Sequence, residues 1–96
     1  MKITIDHELN KMIEQNPNER PKINGILHDI SSLLEPSYYH STLYLKSLKD
    51  YLVLDVKTHS YISQEVQRDI IHQFEAIIDK YNIMKMAFYI NGYNNN

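Results

Sequence analysis

The chain has no cysteine, no tryptophan, two glycines and three prolines. Without cysteine there is no disulfide, no thiolate metal ligand and no thiol nucleophile, a pattern that fits a cytoplasmic protein. With Gly25 and Gly92 far apart, no glycine-rich loop can cradle a phosphate, and no Gly-x-Ser-x-Gly turn exposes a serine. No run of about 18 apolar residues is present to span a membrane. The opening MKITIDHELN lacks the apolar core and the cleavage site of a secretory signal. A strong basic excess is missing too: the formal net charge is −2. The histidines His7, His28, His40, His59 and His72 never recur at the i+3 or i+4 spacing that puts two ligands on one helical face. The expectation is a protein that is not an enzyme and needs no cofactor and no metal.

What is present is helical patterning. Between Ser63 and Tyr81 the apolar residues Val66, Ile70, Ile71, Phe74, Ile77, Ile78 and Tyr81 trace one stripe of a 3.6-residue period. Ser63 stands where an N-cap belongs, and Asn82 where a left-handed exit is tolerated. That stripe must be covered. A chain of 96 residues buries a smaller share of its surface than a longer one, so a homodimer formed through Ile70, Phe74, Ile77, Ile78 and Tyr81 is expected. The length predicts a single domain over residues 1–93, and the three terminal asparagines a disordered tail over 94–96.

The remaining elements follow in order. MKITI alternates weakly, as a short strand does. Asp6 is placed to cap a helix over His7 to Gln15 that buries Leu9, Met12 and Ile13, and Asn16-Pro17-Asn18 ends it. Asn18 then caps a second helix carrying Ile23, Ile26, Leu27, Ile30, Leu33 and Leu34. Inside it Gly25 permits close packing or marks a break, and Glu35-Pro36 stops it. Ser37 caps a third helix with Leu45, Leu48 and Leu52 on one side. Beyond Tyr51, the residues Leu52, Val53, Leu54 and Val56, the polar interval 57–60 and Tyr61-Ile62 read as strand, turn and strand. The rival reading extends the third helix to Lys57. Residues 83–90 are apolar on both faces, fitting either a buried strand beside MKITI or the last turns of a helix.

Tyrosine joins a large apolar ring to a polar tip, which suits it to interfaces. At Tyr38-Tyr39-His40 two tyrosines and a histidine stand together, more than one helix start can bury. Around residues 27–62 the run ILHDISSLL, the turn EPS, then YYHSTLYLKSLKDY and LVLDV-KTHS-YI resemble a winged helix-turn-helix. The turn holds Pro36, and the third helix carries no arginine. The resemblance implies a recognition helix whose first residues, Ser37, Tyr38, Tyr39, His40, Ser41 and Thr42, meet base edges in the major groove. It further implies a wing at Lys57, Thr58 and His59, with Lys46, Lys49 and Lys57 anchoring phosphates.

The expected fold is therefore α+β and mostly helical, a winged helix-turn-helix-like core with a long C-terminal amphipathic helix. The expected function is non-enzymatic binding of double-stranded DNA, as a regulator or accessory protein of a plasmid or phage, with a further protein partner in view. The alternative is an all-α four-helix bundle acting as an inhibitor or immunity-type protein on one protein partner.

Overall fold

A computed structural model describes residues 1–48, 51–83 and 85–91. Its elements are β1 (Lys2–Ile5), α1 (His7–Gln15), α2 (Glu19–Tyr38), β2 (Thr42–Leu48), β3 (Tyr51–Lys57), α3 (Gln64–Tyr81) and β4 (Met86–Asn91). The strands form one four-stranded sheet in the order β1-β2-β3-β4. β1 runs parallel to β2, β2 antiparallel to β3, and β3 parallel to β4. The fold is thus α+β, and the sheet does not favour an all-α bundle.

Alternation along the strands decides which face is covered. Leu43, Leu45, Leu52, Leu54, Val56 and Met86 point to the helices and join Leu9, Ile13, Ile26, Ile30, Leu34, Ile70 and Phe74 in one core. Successive strand residues point to opposite faces, so the other half of each strand forms a face that none of the described helices covers.

Two helices stand where the sequence places them. α3 starts at Ser63, whose hydroxyl accepts from the Val66 N–H at 3.3 Å, and ends at Asn82 in the left-handed region with φ 49°. α1 spans His7–Gln15 and buries Leu9 and Ile13, but Met12 is 42% exposed. Asp6 sits at the N-cap without capping. Its carboxylate instead accepts from the Tyr44 hydroxyl at 3.0 Å, tying α1 to β2.

The third helix expected from Ser37 is absent. α2 runs on through Pro36 to Tyr38, leaving Ser37 in its last turn, and residues 42–48 are strand. The segment TLYLKSL satisfies two periods: Leu45, Leu48 and Leu52 recur at helical spacing, while Leu43 and Leu45 alternate with Tyr44 and Lys46. The apolar run of β3 decides between them, because Leu52, Leu54 and Val56 need a strand partner and the neighbouring segment supplies it. The hairpin is therefore 42–57 rather than 52–62. The interval 58–63 is the link to α3, held by the Thr58 hydroxyl donating to the Ser60 carbonyl at 2.8 Å and by buried Ile62. Residues 83–90, left between strand and helix by the sequence, supply β4 from Met86 onward. β4 pairs with β3, and β1 lies at the opposite edge.

The expected dimer stripe is largely spent inside the chain. Phe74 is fully buried, Ile70 is buried, and Ile77, Ile78 and Tyr81 are half-buried against the same core. These residues cover the sheet, which sequence patterning alone could not distinguish from covering a second copy.

Gly25 allows close packing. A Cβ built there would lie 2.6 Å from Tyr81 Cε1 and 2.8 Å from its hydroxyl oxygen, and that hydroxyl donates to Asp29 Oδ2 at 2.7 Å. Alanine at 25 would gain on the order of 1 kcal/mol of helix preference over glycine. It would lose about 1–3 kcal/mol by overpacking. Gly25→Ala should therefore lower the stability in urea unfolding. The same substitution made in a Tyr81→Ala background should raise it, because only the helix gain remains.

Candidate nucleic-acid interface

The uncovered face can be assembled row by row from the strand register. One row crosses the sheet through Lys2, Thr42, Lys57 and Asn91. The next holds Thr4, Tyr44, Asp55 and Tyr89, and a third Lys46, Val53 and Ala87. Tyr44 is half-buried and Tyr89 is 54% exposed. Val53 is buried in the middle of the face. The Lys46 ammonium lies 3.8 Å from the Asp55 carboxylate, a partly exposed pair that holds position more than it adds stability. Thr42, Tyr44, Asp55 and Lys57 line a recess of about 250 Å³. The hydrogen bond to Asp6 holds the Tyr44 hydroxyl proton above the ordinary tyrosine range, with burial and the charges of Asp6 and Asp55 adding to it. Tyr44 is therefore a neutral ring in a fixed place.

Charge is segregated between the layers. The helices carry Glu8, Glu14, Glu19, Asp29, Glu35, Glu65, Asp69, Glu75 and Asp79 against Lys11, Arg20, Lys22, Arg68 and Lys80. The described strands carry Lys2, Lys46 and Lys57 against Asp55 alone, all four on the uncovered face. A net charge of −2 conceals this division.

The residues named from sequence sort themselves on this frame. Pairing of Thr42 with Lys57 brings the 39–42 and 57–59 segments to one end of the sheet. There the Tyr39 and His40 rings lie edge to face at 5.0 Å between centroids, and His40 and His59 at 6.4 Å. Tyr39, His40, His59, Lys57 and Ser37 are exposed, and Thr42 is half-buried. Ser41 and Thr58 are buried and unavailable for contact, and Tyr38 packs against the core. Lys49 lies outside the described residues, as do 92–96, which include the expected tail. Sequence reasoning missed Lys2, Tyr44, Asp55 and Tyr89. The alternation in MKITI and TLYLK was the signal that could have found Lys2 and Tyr44.

Another hollow, about 280 Å³, is lined by the apolar Leu9, Met12, Ile13, Ile23, Leu52 and Ile83 and by the polar Asn16, Glu19 and Asn82. Its one ionisable group, Glu19, has no acid–base partner among the lining residues. Among the described residues no three of His, Asp and Glu stand together as a metal site would need, and no helix is long and apolar enough to cross a membrane. No family model, curated protein or solved structure matches the chain.

Proposed function

We propose that this protein binds nucleic acid, taking a single strand across the uncovered face of its sheet. The observation that carries this reading is the division of charge: lysines and tyrosines lie on the one sheet face without helices, and the acidic excess lies on the helices. Four-stranded sheets that display aromatic side chains stack two or three unpaired bases on them, with basic groups following the phosphates. Tyr44 and Tyr89 occupy the same row with β3 between them, which puts them about 10 Å apart at a strand spacing near 4.8 Å. Lys2, Lys46 and Lys57 flank that row as phosphate anchors, and Tyr39, His40 and His59 extend the surface past the strand ends.

A single strand suits this surface better than a duplex. A recognition helix starting at Ser37 would have entered a major groove, but Thr42 and Lys46 belong to a strand inside the sheet. The exposed ring of Tyr89 and the half-buried ring of Tyr44 offer stacking, which a duplex with its bases already stacked cannot use.

Fluorescence polarisation titrations of an oligo-dT strand, a single-stranded RNA and a DNA duplex would test the reading. Both single strands should bind more tightly than the duplex. With three phosphates neutralised, log affinity should fall against log salt with a slope of about −2. Equal affinity for duplex and single strand, or no binding of either single strand at low salt, would reject it.

A further inference from the structure

The two edges of the sheet differ in a way that points to a partner. β1 is a short edge of four residues and carries Lys2. Charge and short length are the usual means of keeping an edge from pairing with another chain. β4, MAFYIN, has six residues, no charge and no proline. It lies at the end of the strand order, so among the described residues its outer side meets no further strand.

The hydrogen bonds to β3 fix which groups face outward. The Leu52 N–H donates to the Lys85 carbonyl at 2.9 Å and the Thr58 N–H to the Asn91 carbonyl at 3.0 Å. In a parallel ladder alternate residues serve the same neighbour, so 85, 87, 89 and 91 face β3. The N–H and C=O groups of Met86, Phe88 and Ile90 are turned the other way.

We propose that β4 is a dimerisation edge. Two copies of this chain join β4 to β4 in antiparallel register about Phe88, making the two four-stranded sheets continuous. In that register Phe88 faces Phe88 of the second copy, and Met86 faces its Ile90. These are the outward groups, so each facing pair exchanges both backbone hydrogen bonds. On the uncovered face Tyr89 lies across from Ala87 of the second copy, large against small, and the two rings clear each other. On the helix side Met86, Phe88 and Ile90 present only apolar groups, and Phe88 and Ile90 are half-buried within one chain. No like charges are opposed anywhere along the pair, which cross-strand pairing requires. This interface is independent of the nucleic-acid reading and is measured without nucleic acid. If both hold, the two uncovered faces run together into one surface.

Sedimentation equilibrium across a wide concentration range reads the outcome directly. The wild-type chain should weigh twice its monomer mass. Ala87→Lys combined with Tyr89→Lys places lysine against lysine twice and should give a folded monomer, checked by circular dichroism. Ala87→Glu with Tyr89→Glu should do the same. Mixing the two variants should restore the double mass, because lysine then meets glutamate at both places. A wild type that stays monomeric, a lysine variant that stays dimeric, or a mixture that stays monomeric would overturn the proposal. Amide exchange in the wild type gives a readout that needs no variant. Met86, Phe88 and Ile90 should gain protection as concentration rises. Constant protection there would also overturn the proposal.

Discussion

Phe74→Ala is expected to cost about 3–5 kcal/mol, as removal of a fully buried phenyl ring does when the surroundings relax only in part. Phe74 has no exposed surface, and its ring lies 5.2 Å from that of Phe88 at a tilt of 50°. It is the point where α3 meets the β4 side of the sheet, and the contact ties the last crossover to the rest of the core. Small domains have only about 5–15 kcal/mol in total. The variant should therefore sit near its unfolding midpoint in water or at low urea, read by circular dichroism. Phe74→Leu refills part of the volume and should cost less, about 1–2 kcal/mol. The same pair of variants separates a core role from an interface role. The loss should be the same at every protein concentration, since the ring packs within its own chain. A loss that fades as concentration rises would return Phe74 to the subunit contact its stripe suggested.

On the proposed reading, neutralising the sheet face should abolish most of the affinity for a nucleic-acid single strand. With Lys2, Lys46 and Lys57 all changed to glutamine, three phosphate contacts of roughly 1 kcal/mol each at an exposed surface are lost. That total corresponds to about a hundredfold weaker binding at low salt. The salt slope should fall close to zero in the same titration, since no counterions remain to be released. The fold should survive, because the only ion pair involved, Lys46 with Asp55, is partly exposed and long at 3.8 Å. Tyr89→Ala supplies the contrast. It removes a stacking surface worth about 1–3 kcal/mol per base and should leave the slope unchanged. If the lysine changes left both affinity and slope intact, nucleic acid would have to bind elsewhere or not at all.

The helices were legible in the sequence because their signals agree with one another. In α3 the apolar stripe, the Ser63 cap and the Asn82 exit all give the same boundaries. In α1 the boundaries matched as well, although Asp6 turned its carboxylate to Tyr44. The strands were harder to read. β2 obeys helical and strand periods at once, and only its pairing with β3 selects the strand. Pro36 misled in the other direction, since α2 absorbs it within its last turn and continues to Tyr38. The candidate site shows the same mixture. The resemblance groups residues 37–42 as a helix start and 57–59 as a wing, and His40 and His59 do stand side by side. What joins them is the strand pair Thr42–Lys57. Tyr44, Tyr89 and Lys2 went unread because a face shared by four strands is a property of register, which no single segment displays.

That register also separates two kinds of constraint within one short text. Along β2, Leu43 and Leu45 answer to the core, while Thr42, Tyr44 and Lys46 answer to whatever meets the open face. The two sets share a backbone but lie on opposite faces of the sheet. The outward letters of all four strands can drift toward a different ligand while the inward letters stand still. A slip of one residue would exchange the two sets and bring Lys46 in against the apolar core. The freedom to change partners therefore depends on the hairpin keeping its place.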